Sequence, residues 1–130
     1  HLVVLPPQAE KEAGFLSALE RLANVVGNTG AKAVFYAAPA TLDLIRERFA
    51  RSSNEIGYVP FVNWEDFLIV SRDVRTDDTL WIWMSRRNGV SYESSMARVS
   101  RYLDQYFKGN NFVLVYPLQA SIDEGSRYLT

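Results

Sequence analysis

At 130 residues, of which 48% are hydrophobic, the chain is about one domain long and apolar enough to bury a single core. A formal charge of -1, from 14 basic and 15 acidic residues, argues against a dedicated nucleic-acid binder, because phosphate neutralisation needs a clustered basic surface. The absence of cysteine excludes disulfides and thiolate metal sites, and no apolar run approaches the ~18 residues of a membrane span.

A reducing, cytosolic setting is therefore expected, with no direct membrane insertion by this chain and no signal-peptide pattern at its start. The chain opens on His1 rather than Met and enters the strand-like run LVVLPP at once, which reads as a piece of something longer; a processed protein or a residual tag histidine would give the same start. Leu2 to Leu5 is a continuous apolar run, as suits a parallel strand covered on both faces, and Pro6-Pro7 ends it. From Glu10 the period changes. Phe15, Leu16, Leu19, Leu22, Ala23 and Val26 recur at helical spacing, and Gly27-Asn28-Thr29-Gly30 supplies the stop. Ala31 to Ala38 is the second buried strand, after which Thr41 is expected to cap a helix carrying Leu42, Ile45 and Phe49 on one face.

Glu55 to Val62 is a weaker strand, because Gly57 and Pro60 both interrupt the ladder, and it is expected at the border of the sheet. Asn63 suits an N-cap, with Glu65 and Asp66 in the first turn of a helix reaching Arg75. Leu80 to Met84 is the fourth strand, with Trp81 and Trp83 on one face and Leu80, Ile82 and Met84 on the other. Met96, Val99, Leu103, Tyr106 and Phe107 define a fourth helix that Gly109-Asn110-Asn111 closes. Phe112 to Tyr116 is the fifth strand. Residues 1–117 thus make the domain, and the polar tail 118–130 is expected to be a mobile end or an arm over a neighbour.

Five strands alternating with four helices argue for an α/β fold, a doubly wound parallel sheet whose ligands sit beyond the carboxyl ends of the strands. The loop after the fourth strand is then the candidate anion site: Ser85, Arg86, Arg87, Asn88, Gly89, Ser94 and Ser95. Arg86 and Arg87 stand beside an expected helix N-terminus, where they can grip an anion together with the Ser94 and Ser95 hydroxyls and backbone amides. The plainer alternative is a solvated loop, with the arginines pairing with Glu93 and a serine serving as N-cap. Trp81 and Trp83 read as core residues before base-stacking ones.

Catalysis has little to stand on. His1 is the only histidine, which leaves no Ser–His or Cys–His pair, and the adjacent carboxylates Glu65-Asp66 and Asp77-Asp78 read as helix-start and turn residues. Neither an enzyme nor a metal site is expected.

The alternation through Pro117 resembles the universal stress protein family. The resemblance implies strand order 3-2-1-4-5 and an adenine-nucleotide site whose phosphate loop, G-x-x-G and later G-[ST], follows the fourth strand. This chain has Met84-Ser85-Arg86-Arg87-Asn88-Gly89 and Ser94-Ser95 at those places. Each missing glycine removes a point where backbone can approach a phosphate closely. Pro6-Pro7 likewise occupies the neighbourhood of the family's aspartate, and no carboxylate comes before Glu10. More narrowly, SRRNGVSYESSMARVSRYLDQYFKGNNFVLVYP resembles the soluble C-terminal domain of bacterial cation/proton (sodium/hydrogen) antiporters.

That likeness implies a non-catalytic regulatory or assembly domain on the cytoplasmic side, tethered to the inner membrane through the membrane-embedded antiporter portion of its parent. It also implies a homodimer, because the fifth strand, Phe112, Val113, Leu114, Val115 and Tyr116, would form an apolar edge that a two-fold partner or the tail must cover. Adenine nucleotide is the ligand to consider. The alternative is a stand-alone universal stress protein relative that binds such a nucleotide.

Overall fold

Five short parallel strands form one sheet in a computed structural model that describes residues 1–63, 70, 72–75, 77–85, 96, 99, 101, 103 and 110–117. The strands are β1 (Leu2–Val4), β2 (Ala33–Ala37), β3 (Ile56–Pro60), β4 (Thr79–Trp83) and β5 (Asn111–Val115), in order β3-β2-β1-β4-β5. This is the order 3-2-1-4-5 expected above. The first strand of the chain therefore lies in the middle of the sheet, with Val3 between Phe35 of β2 and Trp81 of β4.

Side chains alternate along each strand and build one core cluster on each face. Val3, Leu5, Ala33, Phe35, Ala37 and Trp83 meet α1 (Phe15–Thr29) through Phe15, Leu19, Leu22, Ala23 and Val26, and α2 (Pro39–Arg48) through Leu42 and Ile45. Phe35 anchors this side, with ring centroids 5.3 Å from Phe49 and 6.2 Å from Tyr58. Burying each such side chain contributes about 1.5–3 kcal/mol of transfer free energy. Opposite, Leu2, Val4, Tyr36, Leu80, Ile82 and Met84 pack with Val70, Met96, Val99 and Leu103.

Two helix boundaries differ from expectation. The chain does not become α-helical at Glu10: after Pro6-Pro7, Gln8 turns back at φ 67, Ala9–Lys11 forms a 3-10 turn that buries Ala9, and α1 begins only after Gly14. Thr41 is not the cap of α2. Ala38 holds that position and Pro39 opens the helix, where its missing N–H costs nothing. Thr41 is buried instead and donates to Glu10 Oε2 at 2.6 Å.

The stop of α1 follows the sequence. Gly30 adopts φ 66 and donates to the Val26 carbonyl at 3.1 Å, a left-handed cap that glycine adopts without strain. Arg48 joins the two helices by donating to both Glu20 carboxylate oxygens at 2.6 Å, and this hydrogen bond holds the Glu20 carboxyl below its ordinary range. Two α-helices are thus described where four are expected. The ranges of the other two fall largely outside the described residues, as does the tail 118–130. Among the described residues no helix is long and apolar enough to cross a membrane.

Candidate functional site

The carboxyl end of β4 leads into the candidate anion loop. Met84 N donates to the Val115 carbonyl at 2.7 Å, which prolongs the β4–β5 pairing by one residue and leaves Ser85 3% exposed at the sheet's end. Arg86, Arg87, Asn88, Gly89, Ser94 and Ser95 lie outside the described residues. Next to this end, the Phe15 ring at the start of α1 meets the Trp83 ring at 5.6 Å. Trp83 is fully buried and its indole nitrogen has no hydrogen-bond partner among the described residues, so it serves the core rather than a stacking surface.

The connection after β1 is occupied by internal bonds. The Pro6 carbonyl accepts from Ala9 N at 3.2 Å, and Glu10, the first carboxylate after β1, takes the Thr41 hydroxyl. Its role is to fasten this connection to the first turn of α2. Asp78 is the turn residue its position suggested: its Oδ2 accepts from Arg75 N at 2.8 Å, and its own N–H donates to the Arg75 carbonyl at 3.0 Å.

β5 is the last strand of the sheet and presents apolar side chains to water. Phe112 is 49% exposed, Val113 38%, Leu114 40% and Tyr116, just past the strand, 46%. Val115 alone turns onto the core, against the cluster that holds Trp83. Among the described strands β5 stands at the border, and an apolar edge of this kind is a ready template for another strand.

The opposite, amino end of the sheet carries polar groups that sequence reasoning missed. A cleft of about 400 Å³ opens there between His1, Leu2, Lys32, Val34 and Tyr36 on one side and Asp73, Arg75, Asp77 and Asp78 on the other. Tyr36 donates to Asp73 Oδ2 at 2.7 Å, and burial, reinforced by that bond, pushes its phenol well above the ordinary tyrosine range. The only signal in the sequence was a hydroxyl within an otherwise apolar strand. Among the described residues no group of three or more His, Asp or Glu is placed to hold a metal ion.

No family model, curated protein or solved structure matches the chain.

Proposed function

We propose that the chain is a non-catalytic regulatory or assembly domain of a cation/proton antiporter, a universal-stress-protein-like module that works in pairs on the cytoplasmic side. The strand order and the wording of the Ser85 to Pro117 stretch support this reading, and the observation that carries it is the apolar, water-exposed edge strand β5. Two copies can join β5 to β5 across a two-fold axis, satisfying both backbone edges and covering Phe112, Val113 and Leu114. In the same reading the sheet is doubly wound, with two further helices over residues 63–75 and 96–108.

Regulation then follows from population shift. A ligand or partner that prefers one arrangement of the paired domains biases the attached membrane portion by no more than its differential affinity for the two arrangements. Adenine nucleotide at the Ser85 to Ser95 loop is the ligand to try first. Light scattering across a concentration series tests the pairing: a mass twice that of the chain is expected, and a strict monomer at high concentration removes it.

A further inference from the structure

His1 extends β1 through its backbone, donating from its nitrogen to the Lys32 carbonyl at 2.8 Å and accepting from Val34 N at 2.9 Å. Its ring does something separate, bridging β4 to the end of α1. Trp81 Nε1 donates to His1 Nδ1 at 3.0 Å, the two rings meeting edge-on with centroids 5.9 Å apart. An indole nitrogen only donates, so Nδ1 carries the lone pair and the ring proton sits on Nε2. Nε2 faces Thr29 Oγ1 at 3.2 Å. That hydroxyl gives its own hydrogen to the Val26 carbonyl at 3.1 Å and accepts from Ala31 N at 3.4 Å, which leaves a lone pair for the imidazole N–H. One protonation state, the neutral imidazole, matches every donor to an acceptor.

In the imidazolium both ring nitrogens donate, and two N–H groups would confront each other along the 3.0 Å line to Trp81. We infer that His1 is a proton-operated latch: the neutral ring ties β4 to β1 and to the end of α1, and protonation releases Trp81. The charges around the ring act in both directions. From the start of β2 comes Lys32, paired with Glu55 at 3.5 Å, and from the segment before β4 come Asp73, Arg75, Asp77 and Asp78, which share the cleft with His1. The last turn of α1 carries no basic residue, so its carbonyl end adds partial negative charge. The carboxylates and the helix end draw the proton in; Lys32, Arg75 and the lost Trp81 bond resist it. Their balance sets the midpoint, whereas the release itself follows from the bond geometry.

Trp81 pairs in register with Val113, so the freed ring adjoins the exposed strand. Only this reach toward the edge rests on the assembly reading; the latch does not. The test is to follow the His1 imidazole and the Trp81 indole N–H by NMR from about pH 8 to about pH 5, the range in which histidine titrates. Trp81→Phe assigns the indole resonance. The two signals are expected to shift with one midpoint, and in His1→Gln, whose amide oxygen accepts from Trp81 at every pH, the indole should stay in place. An indole that is still while His1 titrates, an indole that moves equally in His1→Gln, or a ring that stays neutral throughout overturns the latch. Mass measured at both ends of the titration separates the two ideas, since a monomer at both with coupled shifts removes the pairing and keeps the latch.

Discussion

The two edges of the sheet are strands of equal length handled in opposite ways. β3 keeps Ile56 and Tyr58 against the core, holds the Arg46 guanidinium 4.8 Å from the Tyr58 ring centre, and ends in Pro60, which has no N–H to offer. The chain then turns in at once, with Phe61 N donating to the Ala37 carbonyl at 2.8 Å and its ring buried. β5 contains no proline, glycine or charge and turns only Val115 onto the core. Proline and a cation beside an edge discourage a stray strand, whereas an apolar strand open to water invites one. The contrast is between an edge guarded by proline and a cation and one left apolar and exposed.

The harshest challenge to this contrast is Phe35→Ala, which empties the space between Phe49 and Tyr58. It should cost about 3–5 kcal/mol in urea unfolding. Hydrogen exchange should also quicken at β3 well before β5; equal quickening would mean that β3 has no special cover. Next comes Leu114→Arg, expected to turn a dimer wholly into monomer while changing the stability of the dilute protein by no more than about 0.5 kcal/mol. Its control is Val59→Arg on β3, where exposure is nearly the same, 38% against 40%. Sedimentation should show no change of mass for Val59→Arg, and a change there would erase the distinction.

A smaller effect belongs to Tyr36→Phe, which removes the bond between β2, the neighbour of β3, and the segment leading into β4, the neighbour of β5. About 0.5–1.5 kcal/mol should be lost near neutral pH. Because the folded protein holds the phenol neutral above its ordinary value, the stabilisation is complete below about pH 10 and fades as pH rises past it. Thermal melts of the wild type should therefore fall in alkali, and those of Tyr36→Phe should fall less. The smallest signal is expected from calorimetry with ATP, where a loop short of glycines should give no saturable heat below millimolar nucleotide. Micromolar binding, lost when Arg86 and Arg87 both become alanine, would shift the centre of function from the edge strand to that loop.

Strands were the most legible elements, because Leu2 to Leu5 and Leu80 to Met84 are short apolar runs of the kind a covered parallel sheet accommodates, and alternation placed Trp81 and Trp83 correctly on one face. Strand order came from the family resemblance, since alternation alone does not specify it. Helix starts were misjudged where tertiary contact overrode a local preference. Thr41 has the chemistry of a cap, yet Pro39 already fixes the start and the hydroxyl is drawn to Glu10, 31 residues away in sequence. His1 offered no sign of its role, because its partners Thr29 and Trp81 are brought to it only by the central place of β1. The apolar character of β5 was legible as composition, while its exposure is a property of the folded arrangement that composition does not carry.

The central position of β1 also orders events during synthesis. Residues 1–62 carry three neighbouring strands, both described helices and nearly all of one core cluster, so this half-sheet can assemble while the rest of the chain is still being made. Until β4 emerges, the free side of Leu2–Val4 is the open rim of the nascent protein, with Leu2, Val4 and Tyr36 uncovered on one face. Arrival of β4 closes that rim and creates the next, which β5 then takes over. Translation thus carries one apolar border outward from the centre of the sheet, and among the described strands β5 keeps it.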